Sequence, residues 1–87
     1  MQAIHDERNG RRMKEKIEKR LAAAHDKVRN QEMKVAEHQA GIRALAAQTP
    51  DMILSAMPTK LQNMQEAMSY LEMLQHEVKV LKSLINE

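Results

Sequence analysis

The chain has 87 residues, 30% of them charged, and a formal net charge of +2. Tyr70 is its single aromatic residue, and Cys, Phe and Trp are absent. The lack of cysteine excludes disulfides, thiolate metal sites and thiol nucleophiles, and the lack of aromatic residues argues against a sheet. No apolar run approaches the ~20 residues that a membrane span requires. The composition therefore predicts an all-α protein without a membrane span.

Residues 1–10 are predicted to form a flexible N-terminal arm. Ile4 is the one apolar anchor there, and Asn9-Gly10 follows it. An Asn-Gly pair is a turn or helix-end signal, and a terminal segment without an apolar stripe is expected to fray. Residues 11–87 are predicted to form a single helical domain.

Residues 11–47 are predicted to form one long helix. Apolar residues three and four apart form one stripe on a helix, and that stripe must pack against another helix. The stripe of this helix consists of Ile17, Leu21, Ala24, Val28, Gln31, Val35, His38, Ile42 and Leu45. Gln31 and His38 are polar members of the stripe, and polar residues in a helix seam lower stability and can specify register.

A break is predicted between residues 48 and 59. The Thr-Pro-Asp sequence at 49–51 matches a helix start, with a threonine cap and proline at the first helical position. A short helix over 51–57 is expected to end at Pro58, because the residue before a proline avoids the α region. Thr59 and Gln62 then match a capping box for the next helix.

Residues 60–86 are predicted to form a second long helix. Together with Met57, its stripe consists of Leu61, Met64, Met68, Leu71, Leu74, Val78, Leu81 and Ile85. The spacing from Met68 to Leu71 to Leu74 is three residues twice running, which predicts a local irregularity in the seam. The fold expected is thus a helical hairpin with coiled-coil character.

A two-helix hairpin of this size has a thin core, since small chains bury little apolar surface. Pairing of two hairpins into a four-helix arrangement would bury both stripes. We therefore expect a homo-oligomer, with a dimer favoured. A helical protein partner that supplies the missing helices satisfies the same requirement.

The N-terminal half of the chain is basic, and the C-terminal half is acidic. The densest basic stretch runs from Arg8 to Arg20 and offers a contact surface for nucleic acid or an acidic partner. Its candidate contact residues are Arg8, Arg11, Arg12, Lys16, Lys19 and Arg20. No aromatic residue lies nearby for base stacking.

Nothing in the sequence indicates catalysis. His76-Glu77 begins like a zinc-protease motif, but Val80 stands where the second histidine would be. There is no glycine-rich phosphate loop and no nucleophile elbow. The expectation is a protein without enzymatic activity, cofactor, metal or small-molecule substrate.

The sequence thus predicts a protein–protein interaction or oligomerisation module, such as a small adaptor, chaperone or assembly factor. The alternative is a nucleic-acid-binding dimer that uses the basic stretch. The N-terminus lacks the apolar region of a secretory signal, so the expected location is cytoplasmic, or nuclear in a eukaryotic or viral setting.

Overall fold

The computed structural model describes the backbone of residues 2–86 and the side chains of residues 10–86. Two helices account for nearly all of it: α1 spans Gln2–Ala46 and α2 spans Pro50–Asn86. With 45 and 37 residues, they are about 68 and 55 Å long at 1.5 Å per residue. No strand occurs among residues 2–86. The all-helical hairpin predicted from the sequence is confirmed.

A tight connection, Ala47 to Thr49, joins the two helices. The last turn of α1 closes through hydrogen bonds from the Ala47 and Gln48 amides to the Ala44 and Leu45 carbonyls, at 3.3 and 2.9 Å. Helix α2 then starts at Pro50, as its sequence predicts, and its first hydrogen bond runs from the Ile53 amide to the Thr49 carbonyl, at 3.1 Å. The two bonds at the end of α1 each span three residues, and such bonds commonly tighten the end of a helix. No residue in the described part of the chain has a positive φ angle, so the reversal of direction at the connection does not depend on one.

Helix α1 begins earlier than predicted, at Gln2 rather than at residue 11. It passes through Asn9-Gly10, which the sequence indicated as a turn. A single helical glycine costs only about 1 kcal/mol relative to alanine. Helix-forming residues stand on both sides of this pair, so the local cost is too small to end the helix.

The predicted break at Pro58 is wrong, because α2 continues through this proline without interruption. Consequently the separate helix over 51–57 and the capping box at Thr59 do not form. The Gln62 side chain instead donates a hydrogen bond to Glu66, one turn further along, with Nε2 and Oε1 3.4 Å apart.

Packing on α1 explains why α2 continues across the proline. Ile53, Ala56 and Met57, on the N-terminal side of Pro58, are all half-buried. Pro58 itself is exposed, so its ring lies on the solvent side of the helix. An interior proline removes one backbone hydrogen bond and costs about 3 kcal/mol. Complete burial of a side chain such as Ile53 or Met57 contributes about 1.5–3 kcal/mol, so even their partial burial offsets much of that cost.

The two helices pack side by side as an elongated rod that measures 74 × 14 × 14 Å between Cα atoms. Its radius of gyration is 20.5 Å, compared with about 12 Å for a globular domain of this length. Among the described residues, the buried cluster is small and consists of Ala24, Val78 and Leu81, with Ile17, Leu21 and Val28 packed against it. These contacts join the N-terminal half of α1 to the C-terminal half of α2, so the helices are antiparallel.

Candidate protein-interaction site

Every residue of the predicted α1 stripe lies at the interface with α2. Ala24, Gln31, Val35 and Leu45 are buried, and Ile17, Leu21, Val28, His38 and Ile42 are half-buried. The spacing alternates four and three residues without a gap from Ile17 to Leu45. This face of α1 is therefore fully used by the hairpin itself.

The predicted α2 stripe needs correction at two positions. Leu61 and Met68 are 45% and 42% exposed and lie beside the interface. Ala67 is buried at the seam position that the sequence pattern assigned to Met68. Lys60 likewise stands at the seam position that the pattern assigned to Leu61. The Lys60 Nζ atom reaches across to α1 and lies 3.5 Å from where a Cβ on Gly41 would be.

With these two changes the α2 seam has the same regular spacing as α1. Its members are Ile53, Met57, Lys60, Met64, Ala67, Leu71, Leu74, Val78, Leu81 and Ile85. The expected irregularity at Met68 disappears, because the seam passes through Ala67 instead. A strict alternation of three and four residues, continued from Val78 towards Ile53, would have identified both positions.

The polar seam residue Gln31 has a defined partner. It is 7% exposed, and its Nε2 atom donates a hydrogen bond to the Ala67 carbonyl oxygen at 2.9 Å. A backbone carbonyl has two lone pairs, so this bond is added to the helical bond that the same carbonyl accepts. A buried polar group that finds one partner in one alignment of two helices favours that alignment over its neighbours. Gln31 therefore ties the register of α1 to α2.

One ion pair joins the helices on one edge of the seam. The Arg20 Nε atom lies 3.1 Å from Glu77 Oε1, and the two side chains are 72% and 33% exposed. Solvent screens such a pair, and exposed pairs contribute about 0–1 kcal/mol. The ion pair therefore contributes little to the stability of the hairpin, but it shows which edge of α1 lies beside which edge of α2.

Exposed apolar side chains are concentrated on α2. Of the ten large ones exposed within residues 10–86, α1 carries only Met13 and Met33. Those on α2 are Met52, Leu54, Leu61, Met68, Tyr70, Met73, Val80 and Leu84. All of them except Met52 form two stripes along opposite edges of the α2 seam. We call these the Leu54 stripe (Leu54, Leu61 and Met68) and the Tyr70 stripe (Tyr70, Met73, Val80 and Leu84).

The basic stretch of α1 faces solvent over the part whose side chains are described. Arg11, Arg12, Lys16, Lys19 and Arg20 are all exposed. The side chain of Arg8 lies outside the described residues. Within residues 10–86, Arg20 is the one member of this stretch that forms an ion pair.

A shallow groove of about 330 Å³ follows the seam on the edge opposite the Arg20 ion pair. It is lined by His25 and Val28 from α1 and by Gln75, Val78, Lys79 and Lys82 from α2. Val28 and Val78 are seam residues, so the seam is open to solvent along this edge. No group of three or more His, Asp or Glu side chains that could hold a metal ion occurs in the described part of the chain.

Neither α1 nor α2, as far as they are described, is both long and apolar enough to cross a membrane. Comparison of the chain with family models, with curated proteins and with solved structures found no match.

Proposed function

We propose that this chain is a non-enzymatic protein–protein interaction and oligomerisation module, of the kind used by small adaptors, chaperones and assembly factors. The observation that supports this most is the surface of α2. Its seam is already occupied by α1, yet it presents two further apolar stripes to solvent. Exposed apolar surface of this extent is typical of interaction sites on soluble proteins.

The total surface of the hairpin also supports the proposal. The accessible area is 7247 Å², whereas a globular monomer of 10.0 kDa is expected to expose about 5,200 Å². The excess of about 2,000 Å² per chain is larger than the roughly 600–1,000 Å² that each partner buries in a specific protein–protein interface. Association is the simplest way for such a thin rod to bury more of its apolar side chains.

The proposal is tested by measuring the molar mass of the chain by light scattering over a wide concentration range. We expect a mass above 10.0 kDa at micromolar concentration, together with a melting temperature that rises with protein concentration. A stable hairpin that remains monomeric throughout, with a melting temperature independent of concentration, would contradict self-association.

The second candidate function is nucleic-acid binding by a dimer, and the exposure of the basic stretch favours it. Five of its cationic side chains are exposed, and four of them form no ion pair within residues 10–86, so they can approach phosphates. The discriminating measurement is binding to a duplex of random sequence at low salt. If this candidate is correct, affinity falls steeply with salt, and the combined Arg11→Gln, Arg12→Gln and Lys16→Gln substitutions reduce the salt dependence.

A further inference from the structure

The Leu54 stripe belongs to a face of the hairpin that both helices share. His25, Gln75 and Lys82 line the same open groove. Stepping by seven residues along each helix preserves the side of the helix on which a residue lies. From Lys82 these steps reach Met68, Leu61 and Leu54, and from His25 they reach Glu18, Glu32, Gln39 and Ala46. We call this side of the hairpin the Leu54 face.

The opposite side of the hairpin has a different character. Arg20 and Glu77 form their ion pair there, and steps of seven residues from Arg20 reach Lys27 and Lys34, both exposed. The α1 edge of that side is therefore a row of cations. Two copies packed on that side with α1 against α1 would bring two such rows together, which opposes that arrangement.

Charges of both signs lie on or beside the Leu54 face, all of them exposed. Glu18 and Glu32 lie on the α1 edge and Lys82 on the α2 edge. Arg29 and Glu72 follow His25 and Met68 by four residues, so they lie directly beside this face. We propose that a second copy of this chain packs on the Leu54 face, with the two interhelical connections at the same end. This inference rests on the proposed function and specifies its partner and geometry.

In that arrangement α1 of each copy lies against α2 of the other, and residues at the same height along the rod face one another. Glu18 lies at the height of Lys82 in the antiparallel register that places Gln31 beside Ala67 and Gly41 beside Lys60. In the same antiparallel register, Arg29 lies at the height of Glu72. Both pairs join opposite charges, and two-fold symmetry makes each of them twice.

One small residue matches a large apolar one in the same register. Ala46 lies at the height of Leu54, which is 77% exposed. The small Ala46 side chain of one copy would therefore leave room for the Leu54 side chain of the other copy. The alternative two-fold, with the connections at opposite ends, would place α2 antiparallel to α2 and bring Leu54 against the lysine-bearing end of the second copy.

The area available is sufficient for a stable dimer. The face extends along the ~55 Å over which α2 accompanies α1, and the rod is 14 Å broad. The footprint is therefore about 770 Å² per copy, or about 1,500 Å² in total, within the 1,200–2,000 Å² of specific interfaces.

The first test is the dimer dissociation constant, measured by sedimentation equilibrium on full-length variants whose helix content is checked by circular dichroism. We expect Leu61→Glu to raise the constant at least about tenfold, because a carboxylate would be buried against the second copy. Met73→Glu, on the Tyr70 stripe, is the matched control and is expected to change it less than about twofold. If Met73→Glu dissociates the dimer and Leu61→Glu does not, the assigned face is wrong while the proposed function stands. An unaltered chain that stays monomeric contradicts both.

The second test uses the absence of natural cysteine. An Ala46→Cys protein mixed with a Leu54→Cys protein is expected to form a covalent heterodimer on mild oxidation, far faster than either protein alone. A Met68→Cys protein is expected not to cross-link to itself. Glu18→Lys and Lys82→Glu should each weaken the dimer about threefold to tenfold, and their combination should restore it. Efficient cross-linking of the Met68→Cys protein to itself, or no recovery in the double variant, would overturn the proposed geometry.

Discussion

Replacing Pro58 by alanine tests the continuity of α2 directly. An interior proline costs about 3 kcal/mol relative to alanine in a helix, and its restriction of the unfolded chain offsets about 0.4–1 kcal/mol of that. Pro58 is exposed, so the substitution removes little packing. We therefore expect Pro58→Ala to raise the free energy of unfolding by about 2 kcal/mol, which corresponds to a rise of about 10 °C in melting temperature for a chain of this length.

The assay is thermal and urea unfolding followed by circular dichroism at one fixed protein concentration, because association also shifts the apparent stability. Pro50→Ala is the matched control. Pro50 occupies the first helical position, where a proline is tolerated, so we expect a change of less than about 1 kcal/mol. An unchanged or lowered melting temperature for Pro58→Ala would refute a continuous α2 and support a break at this position.

Three further substitutions probe the hairpin. Gly41→Ala should stabilise the hairpin by about 0.5–1 kcal/mol in urea unfolding, because the new Cβ meets only the flexible Lys60 amine at 3.5 Å. In the control Gly10→Ala the new Cβ meets nothing within 4 Å, and we expect a smaller effect on global unfolding. A loss of stability in Gly41→Ala would contradict the close fit. Gln31→Leu should stabilise by about 1 kcal/mol, since the apolar gain exceeds one net hydrogen bond, and a destabilised variant would show that the bond dominates. Glu77→Gln should change the urea midpoint by less than the equivalent of about 1 kcal/mol, and a larger loss would mean that the ion pair is better shielded than its exposure indicates.

The sequence predicted the α1 face that contacts α2 more accurately than it predicted the α2 face. In α1 the apolar residues themselves follow the regular spacing, so the pattern and the packing agree. In α2 the prediction favoured Leu61 and Met68 because they are large and apolar. The packing instead uses Lys60 and Ala67, because the position along the helix decides which side chain faces α1.

Local signals misled the prediction where tertiary contacts outweigh them. Pro58 is a strong helix breaker in isolation, but the turns on either side of it are held against α1. Asn9-Gly10 is a weak breaker, and its cost is below what a helix of this length tolerates. The face on which a second copy is proposed to dock was also not foreseen, because it depends on which edges of two helices lie together.

The position of the buried cluster has a consequence for the order of folding. The cluster around Ala24 and Leu81 lies at the open end of the hairpin, far along the chain from the connection. Closing a loop from Ile17 to Ile85 costs about 1.5 kcal/mol more in chain entropy than closing one from Leu45 to Met57. The contacts with the lowest closure entropy therefore lie near the connection, where Lys60 and Gly41 stand in or beside the seam. The contacts of the buried cluster are expected to form last. Native-state hydrogen exchange is expected to show the tighter packing of this cluster as slow-exchanging amides in the second half of α2, remote from the turn.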